Sequence, residues 1–342
     1  MSFQRIQEIP TPEAVLEMMP LSDELTGVKK ARDREIKAVF EQKSDKFLLV
    51  IGPCSAHQED AVCEYLTKLA RLQEEVEEKF VLVPRIYTNK PRTTGEGYKG
   101  MGHQPDPQRE PDIVEGLKAI RKMHVRVCKE FHLTAADEML YPTNLPYVAD
   151  LLSYIAVGAR SVENQQHRLT CSGVDVPVGM KNPTGGDISV MLNAIYATQS
   201  HHVFIYNGWE VSTSGNCNAH GILRGGVDSY GRSIPNYHYE DLISVTEAYL
   251  ERELAHPTLL VDCNHNNSDK QYAQQPRIGM EVMQSRQKSD LLKEMIRGLM
   301  VESYLVEGSQ KVDGNMYGKS ITDPCLGWEA SEGFVKDLAE MV

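Results

Sequence analysis

Lys46-Phe47-Leu48-Leu49-Val50-Ile51-Gly52-Pro53-Cys54-Ser55-Ala56-His57 decides how the rest of the chain is read. Residues 47–51 are an uninterrupted apolar run, the mark of a short buried strand, and Gly52-Pro53 forces a turn at its end. That leaves the Cys54 thiol at the strand's mouth, where it can serve as a core filler, a nucleophile or a metal ligand. The layout recurs downstream. Residues 80–86, 133–136, 154–159, 176–180, 203–206, 259–262 and 299–302 are further strand candidates. Helix-like stretches at 60–79, 112–130, 188–198, 239–254 and 290–297 lie between them. Eight strand-then-helix beats predict a (β/α)8 TIM barrel, with an open doubly wound sheet as the alternative.

Composition narrows the function. A chain of 342 residues with 41% hydrophobic content can bury a large core. It has no apolar run of membrane-spanning length and no basic-then-apolar leader, which predicts a soluble, cytoplasmic protein. Seven scattered cysteines do not form a disulfide framework. A net charge of −12 argues against nucleic acid and against an anionic membrane surface as partners. An anionic small substrate would therefore need a local basic pocket working against the global field.

The residues just past each strand candidate carry chemistry, and a barrel would gather them on one rim, the carboxyl ends of its strands. Cys54, His265, Glu302 and Asp323 form one constellation. A thiolate, an imidazole and two carboxylates suit a divalent transition metal. The plainer alternatives are a histidine bonded within its own Asn264–Asn267 loop and a glutamate in a salt bridge. Arg85, Lys90, Arg92, Arg160, Lys181 and Arg224 form the second. Guanidinium forks bind phosphate and carboxylate bidentately, so six cations beside apolar strands read as a pocket for more than one anionic group. Glu138 follows the third strand candidate, and Gly225-Gly226 lets backbone N–H groups approach an anion after Arg224.

Seven motifs, in order, carry a family resemblance: Gly52-Pro53-Cys54-Ser55, Lys90-Pro91-Arg92-Thr93-Thr94, Gly158-Ala159-Arg160, Gly179-Met180-Lys181-Asn182, Ile222-Leu223-Arg224-Gly225-Gly226, Val301-Glu302-Ser303 and Gly318-Lys319-Ser320-Ile321-Thr322-Asp323. From about Ile9 onward the chain resembles the type I (alpha subgroup) 3-deoxy-D-arabino-heptulosonate 7-phosphate (DAHP) synthases, which open the shikimate pathway. The resemblance implies condensation of phosphoenolpyruvate with erythrose 4-phosphate, releasing inorganic phosphate. It implies one divalent metal per subunit, manganese or iron(II), on Cys54, His265, Glu302 and Asp323. Arg160, Lys181, Arg224 and the Ala159 N–H would hold phosphoenolpyruvate, with Arg85, Lys90 and Lys181 around its carboxylate. Arg92 and Thr93 would take the erythrose phosphate, and Glu138 would sit near the phosphoenolpyruvate phosphate and a water. Lys90 is expected to act as an acid, its pKa lowered by cationic neighbours.

The chain also departs from that pattern. Asn264 replaces a serine before the metal histidine, the loop Gly95-Glu96-Gly97-Tyr98-Lys99-Gly100 is one residue longer, and Met101–Pro107 diverges. The expected organisation is an N-terminal arm and helix over 1–45 and a catalytic barrel over 46–342, with a short hairpin after strand six. The arm would cross a neighbouring subunit of a homodimer or homotetramer, or its helix would close the barrel bottom. Regulated relatives use that hairpin to bind an aromatic amino acid. Here Asn207-Gly208 predicts a trimmed two-residue turn, and Asp175 and Tyr141–Pro146 differ, so weak or absent aromatic inhibition is expected. Two other functions compete: a related synthase for a longer sugar phosphate, against which Lys90-Pro91-Arg92-Thr93-Thr94 argues, and a non-catalytic sugar-phosphate sensor, which should have lost a ligand or Lys90.

Overall fold

A computed structural model describes residues 2–342. After α1 (Pro12–Met18) and α2 (Asp23–Phe40) the chain alternates: β1 (Phe47–Gly52), α3 (Glu59–Val76), β2 (Phe80–Pro84), α4 (Ile113–Phe131), β3 (Ala135–Glu138), β4 (Leu152–Val157), α5 (Gln165–Cys171), β5 (Val178–Lys181) and α6 (Ile188–Gln199). A hairpin of β6 (His202–Tyr206) and β7 (Trp209–Thr213) follows, then β8 (Ala219–Leu223) and a small ribbon of β9 (Gly226–Val227) and β10 (Ser233–Ile234). The remainder is α7 (Tyr239–Leu250), β11 (Leu259–Asp262), α8 (Gln275–Lys288), α9 (Asp290–Met295), β12 (Ile296–Glu302), a pair of β13 (Val306–Ser309) and β14 (Lys319–Ser320), and α10 (Trp328–Ala339).

Eight parallel strands pair in the order β2-β1-β12-β11-β8-β5-β4-β3, and a parallel bridge between Arg85 and Ala136 joins the two ends into a barrel. The predicted (β/α)8 fold is what forms. Every barrel strand is buried along its length, which is why the strands read as continuous apolar runs rather than alternating ones. Inside the barrel, Leu48, Val50, Val81, Val83, Tyr154, Ile222, Leu260 and Met300 pack with Ile36, Val39 and Phe40 from the end of α2. The Phe40 ring lies 4.3 Å from that of His220. Helix α2 therefore stoppers the end of the barrel from which β1 starts, as one of its two expected placements required.

One strand assignment is corrected. Residues 203–206 are not the sixth barrel strand; they lie in β6, which pairs only with β7, antiparallel, and alternates between partly buried and exposed residues. The sixth barrel strand is β8, fully buried. The misreading has a physical cause. Val203-Phe204-Ile205-Tyr206 is rich in β-branched and aromatic residues, whereas Ala219-His220-Gly221-Ile222-Leu223 looks weak as a strand. Gly221 is there because a Cβ would come within 2.8 Å of Leu259 and 3.0 Å of Met191. The hairpin consequently precedes barrel strand six. Its two-residue turn at Asn207-Gly208 forms as expected, both residues having positive φ, 48° and 79°. Helices α5, α8 and α10 lie outside the helix-like stretches read from the sequence.

Candidate active site

The barrel turns the sequence pattern into a site because each strand ends at its chemistry. Glu138, Lys181 and Glu302 are the last residues of β3, β5 and β12. Arg85 and Arg224 come one residue after β2 and β8, Cys54 two after β1, and Arg160 and His265 three after β4 and β11. Gly52 allows the turn after β1, since a Cβ there would lie 2.4 Å from the Arg85 carbonyl oxygen.

Cys54, Glu302 and Asp323 come together, one ligand atom from each lying within 4.8 Å of the others. Cys54 and Glu302 are fully buried. The Cys54 thiol lies 3.4 Å from Asp323 Oδ2 and also touches the Lys90 ammonium, which is 3.3 Å from the same carboxylate oxygen. Arg85 Nη2 donates to Glu302 Oε1 at 2.7 Å, and Asn264 Nδ2 donates to the other oxygen. Burial, joined by the Glu302 charge, pushes the Cys54 thiol up to about 12. Burial opposes ionisation of Glu302 too, but Arg85, His265 and Lys90 hold its carboxyl below the usual range.

His265 stands beside this cluster rather than in it. Its Nε2 is 3.9 Å from Glu302 Oε1. Its Nδ1 approaches Asp262 Oδ2 to 2.8 Å, off the hydrogen-bonding line, so this buried nitrogen has no hydrogen-bond partner. The residue sits at φ 51°, a strained conformation for a side-chain-bearing residue. Asn267 pins the strained loop by donating to the Leu223 and Asp262 carbonyls, at 3.1 and 2.9 Å. A soft sulfur, two carboxylates and an imidazole whose Nε2 faces Glu302 are a donor set that fits a first-row divalent metal. Metal binding would take the thiol's proton, as ligation of cysteine always must.

All six predicted cations line one cavity of about 270 Å³, together with Glu138, Ala159, Thr93, His265 and Asp323. They are not equivalent. Arg85 is spoken for by Glu302 and stacks on Tyr87 at 3.8 Å; Lys181 donates to Asp262 at 3.0 Å. Arg92, Arg160 and Arg224, by contrast, form no ion pair among the described residues. Arg92 donates to the Tyr98 carbonyl and Arg160 to the Thr93 hydroxyl, each at 2.8 Å, while Arg224 Nη1 is buried with no partner at all. Three guanidinium groups thus face one cavity without an ion-paired carboxylate. Glu138 packs so closely on the next strand's end that a Cβ at Gly158 would lie 2.2 Å from its Oε1.

One expectation is reversed. Burial pulls the Lys90 ammonium down, but Cys54, Asp323 and Glu302 outweigh it and raise the pKa above its ordinary value; the cationic neighbours do not win. Two residues were missed. Lys270 lines the cavity 3.9 Å from Asp323 Oδ1, and buried Asp262 stands between Lys181 and His265. The polar run after β11 was the only signal for them. Away from this rim, the hairpin and α5 enclose about 290 Å³ between Thr170, Val174, Phe204, Tyr206, Val211 and Ser212, and Asp175 does not line it.

Comparisons with known proteins agree with this geometry. The DAHP synthetase I family matches residues 27–336. The chain is 37% identical to a phospho-2-dehydro-3-deoxyheptonate aldolase, Phe-sensitive, of Escherichia coli K12, over 99% of this chain and 96% of that one. It is 36% identical to the Trp-sensitive aldolase of the same strain, over 99% and 96%. A solved phospho-2-dehydro-3-deoxyheptonate aldolase from Francisella tularensis SCHU S4 superposes with a TM-score of 0.92 at 30% identity, covering 100% of this chain and 98% of that one. Spanning such relatives end to end and keeping the strand-end residues in one rim, the chain belongs to the DAHP synthetase I family.

Proposed function

We propose a residue-by-residue division of labour for the reaction this chain catalyses, the condensation of phosphoenolpyruvate, erythrose 4-phosphate and water to DAHP and inorganic phosphate. The three arginines without a carboxylate partner carry the reading. Arg160 and Arg224, with Lys181 and the Ala159 N–H, hold the phosphoenolpyruvate phosphate. Arg85, Lys90 and Lys181 face its carboxylate. Arg92 and Thr93 hold the erythrose phosphate across the same cavity. Clamping two polyanions side by side is the main entropic task, and it sets the enol carbon against the aldehyde carbon. Cys54, His265, Glu302 and Asp323 would hold a divalent metal, manganese or iron(II), which when bound supplies Lewis-acid polarisation of the aldehyde oxygen. Lys90 holds a proton within reach of the developing alkoxide. Glu138 lies beside the phosphate position, where it can orient a water toward the enol carbon before phosphate leaves. Cytoplasmic location suits a thiol that must stay reduced to bind metal.

Cys54→Ala is expected to lower turnover by at least about a hundredfold, since even residues supporting a ligand cost 10–100-fold. The fold should survive. Bound metal by mass spectrometry, circular dichroism and phosphate release from phosphoenolpyruvate with erythrose 4-phosphate, before and after chelation, are the measurements. Stoichiometric metal with near-native turnover would make Cys54 structural.

Arg92→Ala should mainly raise the KM for erythrose 4-phosphate and Arg160→Ala that for phosphoenolpyruvate, each by about one to two decades for a lost charge-assisted contact. Steady-state kinetics with each substrate varied in turn checks this. Equal losses toward both substrates in both variants would refute the division.

A homo-oligomer, dimer or tetramer, is supported by exposed apolar residues of the hairpin, Val203 and Ile205 on one face (57% and 77% exposed) and Trp209 beside the turn (75%), and by Phe3 and Ile6 on the arm, both 92% exposed. Trp209→Glu should shift the mass seen by light scattering toward the monomer; an unchanged monomer in both proteins would refute the interface.

Weak or absent inhibition by phenylalanine, tyrosine and tryptophan remains the expectation, supported by the trimmed hairpin but not by Asp175. Assays at subsaturating phosphoenolpyruvate test it, and strong inhibition by any one at sub-millimolar concentration would overturn it.

A further inference from the structure

The end of the barrel away from the reaction carries an arrangement that the condensation does not use. There the end of α8, the start of β12 and the last residues of the chain line a cavity of about 670 Å³. Arg286, in the last turn of α8, is 7% exposed, and Arg297, the second residue of β12, is 9% exposed. Neither guanidinium forms an ion pair with a carboxylate among the described residues, and both Nε atoms are buried with no hydrogen-bond partner. Arg286 has only the Lys293 carbonyl at 3.4 Å, the Met283 sulfur at 3.7 Å and the Phe47 ring at 4.6 Å. Arg297 donates to the Ser44 carbonyl. Lys79 and Lys293 also line the cavity, as do Asp45, Glu78 and Asp290, which form no ion pair with either arginine.

A buried guanidinium with no ion pair is costly, and two that repel each other are worse, although Asp45 and Glu294 offset part of that cost for Arg297. Burial and then the Arg297 charge bring Arg286 down to about 10. Two planar forks at one cavity can grip a tetrahedral oxyanion bidentately. We propose that Arg286 and Arg297 form a binding site for a phosphate-type dianion at the closed end of the barrel. Met341 and Val342 line the same cavity.

The test replaces chloride by sulfate at constant ionic strength and follows the Tm of the full-length enzyme, of Arg286→Met and of Arg297→Met. The wild type should show a saturable rise. Each variant should lose a component of it, with apparent affinity about tenfold or more weaker, as expected for a lost charge-assisted pair. Sulfate entering the substrate cavity contributes equally to all three, and kcat should be unchanged. Arg286→Lys, which keeps the charge but not the fork, serves if the methionine variants do not fold and should be weakened to a lesser degree. An identical sulfate response in variants and wild type would remove the site. A response to malonate but not to sulfate would overturn the ligand class. A wild type whose Tm ignores sulfate would likewise refute the proposal.

Discussion

The buried pair between Arg85 and Glu302, 2.7 Å long and closed to solvent on both sides, is the constraint on which the rest of the site depends. It joins the carboxyl ends of β2 and β12, the two strands flanking β1, and so brackets Cys54. Removing two charges from water costs several kcal/mol per ion, roughly, and is offset only when the remaining lone pairs are satisfied. Here they are. Asn264 takes the second Glu302 oxygen, and Gln275 bonds both the N–H and the carbonyl of the Glu302 backbone. One carboxylate thus anchors a cation of the anion cavity and faces the metal-type cluster.

That sharing explains how an acidic protein presents a basic cavity. The chain carries 48 acidic against 36 basic residues. Its long-range field therefore repels polyanions, and attraction must be local. The buried carboxylates Glu302, Asp262 and Asp137 lie behind the cavity and neutralise only part of its charge. Asp262 holds Lys181, while Asp137 accepts from the Thr88 N–H at 2.9 Å and so fixes the start of the segment that carries Lys90 and Arg92. The exposed tip of that segment has glycines at positive φ, Gly95 and Gly97, and can adapt to a phosphate without disturbing the barrel.

What could be read from the residues was whatever leaves a local trace. Apolar runs ending in Gly52-Pro53-Cys54 or Met180-Lys181 place chemistry at strand ends, and a barrel then brings those ends together whatever lies between. The sixth strand was misread because its signal is suppressed by the fold: Gly221 must be small to let α6 and β11 approach, while the exposed hairpin keeps the residues of a good strand. Helix α8 is hard to read because its N-cap is Gln274, which makes no side-chain cap bond, leaving only Pro276 in the first turn as a start signal. The Lys90 shift could not be read either. Its sign depends on a thiol and two carboxylates supplied by the turn after β1, by β12 and by the loop after β14, and no spacing in the sequence measures their distances.

Arginines that lack a carboxylate are informative in this chain because carboxylates are abundant. Arginines elsewhere find them: Arg126 reaches Glu59, Asp60 and Glu130, and buried Arg121 makes a two-pronged pair with Asp150. A guanidinium left unpaired in such surroundings is not short of partners; the fold has kept them away. That holds at the open rim for Arg92, Arg160 and Arg224, where, in the proposed division of labour, two phosphorylated substrates would supply the missing charge. The same physics applies at the closed end. The barrel's stability comes from its apolar interior and the α2 stopper, so nothing in the packing of β12 requires a charge at Arg297 or Arg286. A buried cation without an ion pair is a cost carried by the folded state, which Asp45 and Glu294 offset only in part for Arg297, and a bound anion would offset the remainder.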